Sequence, residues 1–118
     1  MAAHVEVVMD VVDADRAADF WAAALGYDRH GRWEQYRSLV DPAGVGPKII
    51  LQQVEEPKTG KSRVHLDVHA RDVETEVRRL VGLGGVRLDT DPVTEAGTAW
   101  VRMRDPDGNE FCVCRLEG

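Results

Sequence analysis

The stretch VEVVMDVVDADRAADFWAAALG, residues 5–26, is matched 59 positions later by VHLDVHARDVETEVRRLVGLGG, residues 64–85. Each stretch opens with alternating apolar residues, which is typical of a strand, and continues into an amphipathic run that ends at glycine, which is typical of a helix. Asp13 and Asp72 stand at the same place in the two copies and are predicted N-caps. The shared order predicts an internal duplication.

The rest of each copy follows the same plan. Asp-Pro-x-Gly, a turn sequence, occurs at residues 41–44 and again at 105–108. We predict helices over 14–25 and 73–83, and strands over 5–12, 27–30, 35–40, 48–53, 63–69, 86–88, 99–103 and 110–114.

This order predicts an α+β fold of two βαβββ modules, about residues 1–56 and 62–118, within one domain. The polar segment 55–62 is the predicted linker. A half of this size buries little surface alone, so the two halves are expected to form one curved mixed sheet. The helices would lie on its outer face and a cleft on its inner face.

Composition narrows the classes of function. The 118 residues carry a net charge of −6, which argues against nucleic acid as a partner and suits a cationic ligand or plain solubility. There is no apolar run long enough to span a membrane and no pattern of a signal peptide, so we expect a cytoplasmic protein. Cys112 and Cys114 lie two apart on one predicted strand, too far apart for an unstrained disulfide.

Strand alternation sorts the side chains into two faces. The apolar set, expected against the helices, is Val5, Val7, Met9, Val64, Leu66, Val68, Phe111 and Val113. The set expected to line the cleft is Glu6, Val8, Asp10, His65, Asp67, His69, Glu110, Cys112 and Cys114. Parity alone leaves the face of four further residues open: Tyr36, Ser38, Trp100 and Arg102.

Glu6 and His65 occupy the same position in the two copies. A pseudo-twofold axis would bring them together at the centre of the cleft. A carboxylate beside an imidazole binds a divalent metal, acts as an acid/base pair, or forms an ion pair on a solvated surface. All three readings remain open at this point. Cys112 likewise is a soft ligand, a nucleophile or a small half-buried residue.

The sequence resembles the vicinal oxygen chelate superfamily of glyoxalases, bleomycin-resistance proteins and dioxygenases. The resemblance rests on DADRAADFW with LGY at residues 13–21 and 25–27, RVHLDV at 63–68 and RDPDGNEF at 104–111, and it covers almost the whole chain. It is similar in particular to the small glyoxalase-like domains. The resemblance implies paired βαβββ modules and a homodimer.

Metal-using members of that superfamily take four ligands from the first and last strand of each module. The resemblance places Glu6 at the first of these positions, Ile50 at the second, His65 at the third and Cys112 at the fourth. Gln52 is the polar neighbour of Ile50 on the same face. An isoleucine cannot bind a metal, so the implied ligand set is incomplete.

Two functions follow from the resemblance. The first is a bleomycin-resistance-like protein that binds a small molecule in the cleft, with no cofactor. The alternative is a metal-dependent lyase, isomerase or dioxygenase in which Glu6 and His65 are catalytic and bind a divalent metal. Residues expected near the ligand are Tyr36, Asp67, Trp100, Arg102, Glu110 and Cys112.

Overall fold

The computed structural model of the protein describes residues 2–116, which form two helices and nine strands. The chain divides into two compact units, with the boundary between Lys58 and Thr59, inside the segment identified as a linker. In the first unit the elements are β1 (Val7–Val11), α1 (Ala14–Leu25), β2 (Asp28–Trp33), β3 (Tyr36–Val40) and β4 (Ile49–Gln53). In the second they are β5 (Leu66–Ala70), α2 (Val73–Gly82), β6 (Val86–Arg87), β7 (Val93–Glu95), β8 (Thr98–Arg104) and β9 (Glu110–Arg115).

The first unit is a four-stranded sheet covered by α1. The strand order is β1-β4-β3-β2, with β1 parallel to β4 and the other pairs antiparallel. Helix α1 packs on β3 and β4 and buries Phe20 and Trp21, whose rings meet edge to face at 5.1 Å. They pack in a core that includes Leu39 and Leu51, both fully buried.

The second unit repeats this plan with one more strand. The order is β5-β9-β8-β6, β5 is parallel to β9, and β7 pairs with β8. Helix α2 packs on β9, β8 and β6. The core of this unit is Val77, Leu80, Val101, Met103, Phe111 and Val113, all buried. The α+β fold of two βαβββ modules is therefore confirmed.

Local signals explain why the helices stand where they do. Asp13 accepts a hydrogen bond from the Arg16 backbone N–H at 3.0 Å, and Asp72 accepts one from Thr75 at 3.1 Å. Each caps the positive end of its helix. Helix α1 ends at Gly26, whose φ of 67° is the left-handed conformation that glycine adopts without strain.

The two Asp-Pro-x-Gly turns are confirmed as well. In the second turn, the Asp105 carboxylate accepts from the backbone N–H groups of Asp107 at 2.9 Å and Asn109 at 2.8 Å. In the first, Asp41 accepts from Ala43 and Gly46 at 2.9 and 2.8 Å. The turns carry the chain from β3 to β4 and from β8 to β9, so they set the antiparallel part of each sheet.

Two predictions about strands were wrong. The first strand of each half begins later than predicted, because pairing starts only at Val7 opposite Ile49 and at Leu66 opposite Phe111. The second error is β7, which the sequence analysis missed. Val5 and Val64, expected against the helices, lie outside the strands and are 75% and 85% exposed.

The described residues contain no helix of the length and apolar character that a membrane crossing needs.

Candidate functional site

One face of the second sheet is turned away from α2, and we call it the open face. Strand register forms it from two rows of side chains, Asp67–Cys112–Arg102 and His69–Cys114–Trp100. The alternate rows, which contain Phe111 with Met103 and Val113 with Val101, are buried on the other side. The register thus places Asp67 and Cys112 on the face that strand alternation predicted. It also places Trp100 and Arg102 on this face, which alternation alone could not decide.

A cavity of about 800 Å³ lies on the open face. Its apolar wall includes Trp100, Leu88 and Leu116, and its polar wall includes His65, Asp67 and both cysteines. Pockets of roughly 300–1,000 Å³ with a few converging polar groups are typical of small-molecule sites. All of the described residues that line the cavity belong to the second unit.

The charge of the cavity differs from the charge of the chain. Its lining carries four permanent cations, Lys61, Arg102, Arg104 and Arg115, against two carboxylates, Asp67 and Glu110. The cavity is therefore basic although the chain carries a net charge of −6. The expectation of a cationic ligand rested on the net charge, and the local charge points the other way.

Arg102 is held by an aspartate that the sequence analysis did not single out. Its guanidinium donates to the Asp89 carboxylate at 2.8 and 3.1 Å, and its backbone N–H donates to the same carboxylate at 2.9 Å. These bonds hold the pKa of Asp89 below its ordinary value, the side-chain bond most of all. One of the four cations is thus already paired, and a second, Arg115, donates to the Gly97 carbonyl oxygen at 2.6 Å.

Arg104 and Lys61 are different. Among residues 2–116 neither side chain has a hydrogen-bond or ion-pair partner. Arg104 lies opposite Glu110 in the β8–β9 ladder, but the Glu110 carboxylate instead accepts the backbone N–H of Ser62 at 2.8 Å. The cavity therefore presents two cations without a partner in the part of the chain that the structure describes, whereas Glu110 holds the loop before β5.

Metal-ligating atoms gather on the polar wall of the cavity in two overlapping groups. In each group the three ligand atoms lie within 4.8 Å of one another. One group is His65, Asp67 and Cys112, and the other is Asp67, His69 and Cys114. His65 Nε2 lies 3.1 Å from Asp67 Oδ1, so the first group already contains a histidine–carboxylate pair.

Both cysteines are free thiols. Burial, and then the negative charge of Asp67, raise the pKa of Cys112 above its ordinary value. The same causes, with a hydrogen bond to Asp67, raise the pKa of Cys114 to about 11. Since the thiolate is the reactive form, this setting does not favour the reading of Cys112 as a nucleophile.

The first unit places its candidates on the face away from α1. Tyr36 lies opposite Gln52 in the β3–β4 ladder, and the Gln52 amide lies 3.5 Å from the Tyr36 hydroxyl. Tyr36 also stacks on Trp33 with ring centroids 5.6 Å apart. Glu6 precedes β1 and forms an ion pair with Lys48 at 3.7 Å.

The family model of the glyoxalase-like domain matches residues 6–114. The chain belongs to this family. No curated protein matches the chain.

Solved structures show the fold of this glyoxalase-like domain in other organisms. A glyoxalase/bleomycin resistance protein/dioxygenase family enzyme from Burkholderia phytofirmans has a TM-score of 0.80 at 16% identity, with 95% of this chain and 97% of that chain covered. The fosfomycin resistance protein FosX from Listeria monocytogenes has a TM-score of 0.78 at 13% identity, covering 99% and 95%. A glyoxalase/bleomycin resistance protein from Albidiferax ferrireducens has a TM-score of 0.69 at 19% identity, covering 95% and 97%. At these identities the likeness supports the fold alone.

The four-ligand metal set of the superfamily does not fit this chain. Ile50 stands at the second position, and the register puts it on the face away from α1, opposite Val8 and Ser38. An apolar side chain occupies the place of a ligand there, and Glu6, at the first position, is paired with Lys48. The juxtaposition of Glu6 with His65, and a catalytic role for either, stays a prediction.

The residues missed by sequence reasoning are Lys61, Arg104 and Asp89. Arg104 follows Arg102 by two residues, so strand alternation could have predicted that both side chains lie on the same face. Lys61 and Asp89 lie outside the strands, where strand alternation does not predict the direction of a side chain.

Proposed function

We propose that the second unit binds a small organic anion that has an apolar or aromatic body, in the cavity of its open face. One observation carries the proposal: the cavity combines an apolar wall at Trp100 and Leu88 with two cations, Arg104 and Lys61, that have no partner within the described range 2–116. An unpaired guanidinium in a partly enclosed site gains a charge-assisted hydrogen bond when a carboxylate, sulfonate or phosphonate arrives. The apolar wall then supplies affinity through the area it buries.

We propose an anionic ligand and not the cationic ligand that the net charge suggested. The charges that face a bound ligand act on it more strongly than the distant charges of the chain do. Arg102, two residues from Trp100 on β8, is already held by Asp89. Arg104 and Lys61 are left to bind the ligand. The homodimer and the cytoplasmic location remain predictions.

The test uses two probes with the same ring and opposite charge, 1-naphthoate and 1-naphthylmethylammonium, titrated by calorimetry. The protein should bind naphthoate and not the ammonium. Arg104→Gln should weaken naphthoate binding by about 10-fold or more, since a hydrogen bond to a charged group is worth about 1.5–3 kcal/mol. Arg78→Gln is the matched control, because Arg78 lies on α2, behind the sheet.

Equal binding of the two probes would remove the electrostatic argument. An equal loss in Arg104→Gln and Arg78→Gln would show that only overall charge matters.

A further inference from the structure

The second group of ligand atoms, Asp67, His69 and Cys114, lies one strand repeat away from the positions at which the superfamily binds metal. The three atoms are an oxygen, an imidazole nitrogen and a sulfur, all within 4.8 Å of one another and all on the wall of the cavity. We infer that these three residues bind a borderline-soft divalent cation such as Zn²⁺. Zinc takes these three ligand types in tetrahedral sites.

Strand geometry makes this group better ordered than its neighbour. His69 and Cys114 are direct partners in the parallel β5–β9 ladder, and Asp67 precedes His69 by two residues on the same face. All three therefore stand on paired backbone. His65, the histidine of the other group, precedes the first residue of β5.

Charge also separates the two groups. The partner of Cys112 across the β8–β9 ladder is Arg102, so a cation at Cys112 would sit beside a guanidinium whose charge the Asp89 carboxylate offsets only in part. The partner of Cys114 across the same ladder is Trp100, which carries no charge. The metal is therefore expected at Cys114.

The His65 imidazole would then position a ligand and not bind the metal itself. It lies 3.1 Å from Asp67 Oδ1 and can hold that carboxylate while the other oxygen binds the metal. Three protein ligands leave a fourth position open, as in zinc sites that bind water or an exogenous ligand. When the metal binds, the Cys114 thiol gives its proton to solvent and the thiolate sulfur forms the bond to the cation.

This inference does not depend on the proposed anion binding. The two are tested with different probes, and either result stands without the other.

The experiment compares two cysteines on one strand. Untagged wild-type protein, Cys114→Ser and Cys112→Ser are titrated with Zn²⁺ by calorimetry and with Co²⁺ by absorption spectroscopy, in which thiolate ligation gives a charge-transfer band. Wild type should bind one equivalent and show the band. Cys114→Ser should lose the band and more than about 100-fold in Zn²⁺ affinity, since losing even a supporting contact costs about 10–100-fold. Cys112→Ser should keep both.

Variants of the two histidines give a second comparison. His69→Ala should abolish binding, and His65→Ala should weaken it by no more than about 100-fold, as expected for a supporting residue. In wild type, Zn²⁺ should protect Cys114 from alkylation more than Cys112, which mass spectrometry reads out with no variant to fold.

Three results would overturn the inference. They are no binding by the wild type, binding lost in Cys112→Ser but kept in Cys114→Ser, and binding kept in every variant. The second result would move the cation to the His65–Asp67–Cys112 group.

Discussion

Asp89→Asn tests whether the cations of the cavity are arranged as described. The Asp89 side chain is only 12% exposed and accepts from Arg102 at 2.8, 2.9 and 3.1 Å. The asparagine keeps one oxygen but loses the charge and one acceptor. Because Arg102 is 59% exposed, solvent screens part of the pair, and we expect a loss of about 1–2 kcal/mol rather than the full value of several charged bonds. For a chain of this size that is about 3–10 °C in Tm.

The pH dependence of this loss has a definite sign. The pKa of the Asp89 carboxyl is depressed in the folded protein by its bonds to Arg102. Such a carboxylate contributes stability that is complete above its unfolded pKa and is lost as the pH falls through its folded pKa. The difference in unfolding free energy between wild type and Asp89→Asn should thus be full at pH 7 and shrink below about pH 4.

The assay is urea unfolding followed by circular dichroism at several pH values. Asp91→Asn is the matched control, since Asp91 is exposed, and it should change stability by less than about 0.5 kcal/mol. Asp89→Asn should also bind naphthoate more tightly, because Arg102 is no longer neutralised. Equal stability of Asp89→Asn and wild type at pH 7, or a difference that does not change with pH, would refute the ion pair.

Two further predictions concern the second unit. Ala96 and Gly97 form the two-residue turn between β7 and β8, with φ of 52° and 78°. Because glycine adopts a positive φ without strain, Ala96→Gly should stabilise the protein by about 0.5–1 kcal/mol and Gly97→Ala should destabilise it by about 1 kcal/mol. Thermal melts in which both variants shift Tm in the same direction would contradict this. Leu80→Ala removes a fully buried side chain and should cost about 2–5 kcal/mol in urea unfolding, whereas its neighbour Val81, 46% exposed, should cost under about 1 kcal/mol when changed to alanine. Similar losses at both positions would mean that α2 packs differently.

The helices could be predicted from the sequence because their signals are local. The bounds 14–25 were right, and α2 ends one residue before the prediction, at Gly82. Caps and amphipathic spacing act within a few residues of the helix itself. No distant partner is needed to fix them.

Strand ends depend on partners that the sequence does not reveal. Alternation continues to Val5 and Val64, but no strand lies beside them, so they stay exposed. Strand β7 was missed because Pro92 and Gly97 make its sequence look like a loop. The positive φ of both Ala96 and Gly97 lets a two-residue hairpin form there.

The candidate site likewise has local features that the sequence predicts and long-range features that it does not. Asp67 and Cys112 share a face because strand parity is a local property. The pairing of Arg102 with Asp89, by contrast, crosses 13 positions and depends on where the chain runs after β6. The basic character of the cavity follows from that geometry and could not be read from a net charge of −6.

The most direct test of the central claim is the location of the bound anion. We would record ¹H–¹⁵N correlation spectra of the labelled protein during a titration with 1-naphthoate. The largest shifts are expected on the Trp100 indole and on the backbone of β5, β8 and β9 around Asp67, Arg104 and Cys112. Shifts that spare this face, whatever the affinity, would contradict it.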